Sequence, residues 1–191
     1  MGLSCNIPRR SSKIESVEKG GVFLVQITFK KNPVTLPGNE IKVGDQAPDF
    51  TVLANDLSPV SLEDTTGKVR LISVVPSLDT GVCSDQTKRF SEEAASLGDN
   101  VEVLAVSADL PFAQKRWTEI NGVNSITALS DHRDLSFGEA YGVTMKELRL
   151  LARSIFVVDA DDRVAYVEYV PEGTDHPDYE KAIQAVKELT N

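Results

Sequence analysis

Val69-Arg70-Leu71-Ile72-Ser73-Val74-Val75, running into Pro76-Ser77-Leu78-Asp79-Thr80-Gly81-Val82-Cys83, is the stretch whose reading decides the fold. β-Branched residues dominate its first half, and Pro76, which has no N–H to donate, ends it, so it reads as an interior strand. Residues 83–97 then carry Phe90, Ala94 and Leu97 at helical spacing, with Thr80 placed to cap the start and Gly98 to stop the end. A strong strand, a short loop and an amphipathic helix make one unit of an alternating chain.

Working outward, the unit repeats. Residues 101–107 read as a strand, Pro111 opens a helix to about residue 119, residues 126–129 are strand-like, and residues 134–141 read as a helix. Residues 155–159 and 164–169 form a strand pair around Ala160-Asp161-Asp162-Arg163, and residues 178–189 close the chain as a helix. Upstream, residues 26–29 and 34–36 alternate in polarity around Lys30-Lys31-Asn32-Pro33 as an amino-terminal hairpin, and residues 44–50 turn into an extended segment at 51–53. The expectation is an α/β fold with a mixed central sheet flanked by helices.

Composition narrows the function. The 191 residues, 41% hydrophobic and 26% charged, suit one globular domain. Lys plus Arg number 20 against 29 Asp plus Glu, a net charge of −9, with no basic cluster interleaved with aromatics beyond residue 20, which argues against a nucleic-acid partner. The apolar runs are strand-sized, far short of the roughly 20 residues that span a bilayer, so no membrane association is expected. Cys5 and Cys83 are neither a disulfide framework nor a metal pair, His132 and His176 are solitary, and a reducing cytoplasm fits best; no metal is assigned.

Residues 1–24 look unlike the rest. They lack periodicity, and Glu15 and Glu18 argue against a transit peptide while the missing apolar core argues against a secretion signal. They read as a disordered leader, or as translated upstream sequence, since Lys19-Gly20-Gly21 can be encoded by a purine-rich stretch resembling a ribosome-binding site and Leu24 could be a start codon. Residues 25–191 are then the folded domain.

Cys83 falls in the first turn of a helix just past a central strand, where unpaired N–H groups and the helix dipole favour thiolate over thiol. The Thr80 hydroxyl, three residues earlier, can donate to the sulfur or to a bound oxygen. Placement alone leaves open a small buried cysteine beside a capping threonine.

Pro76, Thr80 and Cys83 match the P-x-x-x-T-x-x-C signature of peroxiredoxins. Residues 44–50 (GDQAPDF), 76–83 (PSLDTGVC), 107–114 (SADLPFAQ) and 148–153 (LRLLAR) resemble the bacterial thiol peroxidases, atypical two-cysteine members of that family, over about residues 25–190. The resemblance implies a thioredoxin-like fold and a cofactor-free peroxidase. In it Cys83 is the peroxidatic nucleophile, Thr80 hydrogen-bonds in the site, Pro76 shields the sulfur, and Arg153 lies beside the thiolate, whereas read alone Arg153 would be a surface charge. It also implies a hydroperoxide substrate, thioredoxin or a small thiol as reductant, and a homodimer.

The chain departs from the family at one point. Relatives carry a resolving cysteine directly after an Arg-Trp or Arg-Phe pair, but Arg116-Trp117 is followed here by Thr118, which cannot form a disulfide. Three routes remain for the oxidised cysteine: attack by an external thiol, a bond to Cys5, or a cross-link between two Cys83 residues. The external thiol is preferred, because closure of a loop to Cys5 is entropically loose. The alternative function is a peroxide-sensing redox protein with poor turnover; a disulfide oxidoreductase is disfavoured because Cys83-Ser84-Asp85-Gln86 lacks the second cysteine of C-x-x-C.

Overall fold

The computed structural model describes residues 17–19, 22–24 and 26–190. In chain order the strands are β1 Val17–Lys19, β2 Val22–Leu24, β3 Ile27–Phe29, β4 Asn32–Val34, β5 Thr51–Leu53, β6 Pro59–Ser61, β7 Val69–Val74, β8 Val101–Ser107, β9 Thr127–Ser130, β10 Thr144–Met145, β11 Leu150–Leu151, β12 Ser154–Val158 and β13 Val164–Tyr169. The α-helices are α1 Gly81–Ala94, α2 Pro111–Asn121, α3 Ser136–Ala140 and α4 Tyr179–Thr190.

Seven strands form one mixed sheet in the order β13-β12-β7-β8-β9-β5-β6. The β7–β8 and β8–β9 pairs are parallel and β12 is antiparallel to both its neighbours. Every residue of β7 is buried, because the sheet is covered on both faces; that is why its apolar residues fall on both faces and do not alternate with exposed polar ones. On one face Val69 and Leu71 meet Phe90 of α1 and Ala182, Ile183 and Val186 of α4. On the other, Ile72 and Val74 meet Phe137 and Tyr141, whose rings stack at 4.3 Å, together with Ile27, Leu36 and Ile41 from upstream. Arg70, fully buried on that second face, is paired with Asp162 and donates to the Asp159 carbonyl at 2.7 Å, tying the interior strand to the β12–β13 turn.

The expected mixed α/β architecture is present. Two local expectations are revised. The hairpin is tighter than its polarity suggests: β3 and β4 turn on Lys30-Lys31 alone, both in the left-handed region (φ 52 and 64), and Pro33 lies inside β4. The helix expected over residues 134–141 is shorter, because Leu135 adopts φ 53 and delays its start to Ser136. Short strands β6, β10 and β11 carry too few residues to show a period. Most of residues 1–24, Cys5 included, lies outside the described residues, while β1 and β2 pair antiparallel near the end of that segment.

Asp131 holds the start of α3, accepting from the N–H groups of Phe137 at 3.1 Å and Gly138 at 2.8 Å. Burial pushes its carboxyl up from the ordinary 3.8 to about 6, only partly offset by those two donors. Between those values the folded chain keeps a proton that the unfolded chain has released. This group's stabilisation is therefore complete below pH 3.8 and lost as pH rises through about 6. The swing is up to about 3 kcal/mol. Asp131→Asn should flatten the decline of stability across that window, as read by denaturant melts at several pH values; a slope equal to wild type would refute the assignment.

Candidate active site

β7 and β8 run parallel, so the segments at their carboxyl ends lie side by side, and two of the four sequence motifs, residues 76–83 and 107–114, fall there. The ladder continues one residue past β7, with the Val75 N–H donating to the Val106 carbonyl at 3.0 Å, and stops at Pro76, which is buried and has no N–H. The chain then turns over Ser77–Thr80 into α1. The first helical bond runs from the Ser84 N–H to the Thr80 carbonyl at 2.9 Å, so Cys83 is the third residue of the helix, among the N–H groups that precede the helical ladder.

Cys83 is 1% exposed and packs in a small apolar cluster with Val75, Leu78, Trp117 and Val123. The polar side of the sulfur is Arg153, itself 2% exposed and immediately before β12. Its Nη2 donates to Cys83 Sγ at 3.1 Å, Nη1 to Gln86 Oε1 at 2.6 Å, and Nε to the Gly173 carbonyl at 3.0 Å. A buried guanidinium is tolerated because these partners occupy its fork, and its fixed positive charge at hydrogen-bond distance stabilises negative charge on the sulfur. The isolated reading of Arg153 as a surface charge is thus overturned by the packing of β12 against β7.

Arg153 reaches Cys83 from 70 residues away, and Pro76 is buried where β7 ends, seven residues before the cysteine. Thr80 is different. Its extended backbone (φ −118, ψ 148) suits the residue before a helix, but its hydroxyl makes no capping bond; it donates to the Ser77 carbonyl at 3.0 Å and the residue is exposed. The tight turn, in which the Thr80 N–H reaches the same carbonyl at 3.3 Å, brings that acceptor within range of the hydroxyl. Thr118 lies on α2, its hydroxyl donating to the Lys115 carbonyl at 2.9 Å.

Two groups of residues escaped sequence reasoning. Gln86, fully buried, bridges Arg153 to Ser73 of β7, with its Nε2 donating to Ser73 Oγ at 2.8 Å. The signals were a polar serine inside an apolar strand and a glutamine one helical turn after the cysteine. Asp109 binds the loop before Cys83, accepting from Ser77 Oγ at 2.7 Å, the Leu78 N–H at 2.8 Å and Ser107 Oγ at 2.8 Å. It lies in the 107–114 motif, which carries no role until the two loops are seen adjacent.

The Redoxin family model matches residues 42–183. Over 164 residues the chain is 70% identical to the thiol peroxidase of Halalkalibacterium halodurans, spanning 86% of this chain and 98% of that protein. The chain belongs to the redoxin family, with the bacterial thiol peroxidases. The thiol peroxidase of Bacillus subtilis is 64% identical over 166 residues, 87% of this chain and 99% of the relative. A crystal structure of a peroxiredoxin-like protein from Aquifex aeolicus matches with TM-score 0.80 at 42% identity, covering 86% of this chain and 96% of that one. The peroxiredoxin fold expected from the motifs is therefore present, and Cys83 lies within the matched residues.

Proposed function

We propose that this chain is a thiol peroxidase that reduces hydrogen peroxide and organic hydroperoxides through Cys83 alone. The observation that supports this reading best is the buried sulfur at a helix N-terminus with Arg153 Nη2 at 3.1 Å. The thiolate attacks one peroxide oxygen in line, the O–O bond breaks, and Cys83 becomes a sulfenic acid; the departing oxygen takes up a proton and leaves as water or alcohol. Arg153 and the helix N–H groups stabilise charge as it moves from sulfur to the departing oxygen. Pro76 screens the sulfur from bulk water, and Thr80 shapes the loop through its bond to Ser77 and meets the peroxide as it enters.

The second half-cycle uses an external thiol, thioredoxin or a small one, since Thr118 follows Arg116-Trp117 at the place where the family resemblance implies a resolving cysteine. Its thiolate attacks the sulfenic sulfur, water leaves, and a mixed disulfide forms that a second thiol cleaves. Because Cys83 is 1% exposed and packed with Leu78 and Trp117, part of this cover must open before that attack. Among the described residues no helix is long and apolar enough to cross a membrane. A cytoplasmic homodimer, with residues 25–191 as its peroxidase domain, completes the proposal.

Treating protein made from its own gene with one equivalent of peroxide and taking intact masses without reductant tests this. The expected products are a sulfenic acid on Cys83 and, with added thiol, a mixed disulfide at the same residue. A Cys5–Cys83 disulfide would overturn the external-thiol route, and absence of turnover with every reductant tried would favour a peroxide sensor. The untreated sample also weighs the leader: a mass that includes Met1 excludes a start at Leu24.

A further inference from the structure

Arg153 has three holds, and two are easily traced to the core: the sulfur on α1, and Gln86, which is pinned to β7 by Ser73. The third, from Nε to the Gly173 carbonyl, ends on an irregular segment beyond β13 that has no ladder of its own. That segment is fixed by the amino-terminal hairpin. The Gly173 N–H donates to the Thr28 carbonyl at 2.8 Å, and the Thr28 N–H to the Pro171 carbonyl at 2.9 Å. Gly173 also lies against Phe29, since a Cβ at this position would stand 2.7 Å from the ring.

Glu172 holds the two segments together. Its carboxylate accepts from Thr28 Oγ1 at 2.7 Å, from the Lys30 and Lys31 N–H groups at 2.9 Å each, and from the Thr174 N–H at 3.0 Å and Oγ1 at 2.7 Å. The left-handed backbone of Lys30 and Lys31 turns both N–H groups toward this one acid, so the hairpin turn is built around it.

We propose that Glu172 is a positioning residue for the peroxide reaction: by drawing the hairpin turn onto residues 171–174 it fixes the Gly173 carbonyl, and through it the guanidinium that donates to Cys83. The inference rests on the role given to Arg153 above. A planar guanidinium moves as one body, so an acceptor displaced at Nε re-aims Nη2 at the sulfur. A shift of about 1 Å at such a group can cost up to a hundredfold in rate.

The test is a double-mutant cycle of Glu172→Ala and Arg153→Lys, read as the second-order rate of the reduced protein with hydrogen peroxide. Fluorescence of Trp117, the chain's one tryptophan and a neighbour of Cys83, gives the signal. Measured well below the melting temperature, Glu172→Ala should slow the reaction about tenfold, and in the Arg153→Lys background it should slow it no further. Glu172→Gln, which keeps an acceptor oxygen, should fall between and serves if the alanine variant does not fold. Glu147→Ala, which removes the acceptor of the Thr35 N–H at 2.9 Å just after the hairpin, should leave the rate unchanged. A lowered melting temperature with a wild-type rate, or effects of Glu172→Ala and Arg153→Lys that multiply, would overturn the inference. If Arg153→Lys alone reacts at the wild-type rate, the role of Arg153 itself fails; if it is slow while the Glu172 variants are not, only the positioning role does.

Discussion

Cys83→Ser is expected to bring peroxide consumption down to the uncatalysed background while leaving the protein folded. A serine hydroxyl at neutral pH offers almost no anion to attack an O–O bond, and removal of a covalent nucleophile costs on the order of a millionfold in turnover. The fold should tolerate the change, because serine is smaller than cysteine and its oxygen still offers Arg153 Nη2 an acceptor in place of the sulfur at 3.1 Å. Peroxide loss with thioredoxin or dithiothreitol as reductant, alongside a thermal melt, checks both halves. Activity of the folded variant above a few per cent of wild type would show that another group does the chemistry.

The second large effect is Arg153→Lys, for which the bimolecular rate with hydrogen peroxide should fall roughly 10²–10³-fold. The substitution keeps the charge, so the loss measures geometry: an ammonium is a point donor and cannot reach the sulfur, Gln86 Oε1 and the Gly173 carbonyl together. At least one of those buried acceptors loses its partner, which should also lower stability by about 1–3 kcal/mol. Stopped-flow fluorescence at a temperature where both proteins are folded separates the two consequences. A rate within threefold of wild type would mean that charge alone, without the three-way fork, suffices.

Both effects concern residues that the sequence exposes unequally. Cys83 sits between a β-branched run and an amphipathic helix, and those periodicities are local properties that a single chain displays. The same locality makes the strands at 101–107 and 164–169 legible, whereas β10 and β11, two residues each, are created by the pairing of Thr144 with Leu151 and Met145 with Leu150. Gln86 and Asp109 are legible only as polar residues on a buried helix face and after a strand; their partners Arg153 and Ser77 are distant in the chain.

By itself the sequence determined the alternation of strand and helix, the cysteine at a helix start, the P-x-x-x-T-x-x-C motif, and a threonine, not a cysteine, after Arg116-Trp117, because each is a matter of residue type and short spacing. Only the tertiary structure decided that Arg153 is buried with three bonds, and that the amino-terminal hairpin reaches the site through Glu172 and Gly173. The physical reason is that a hydrogen bond is chosen among whatever groups folding brings within about 3 Å, and that neighbourhood is set by sheet order and packing.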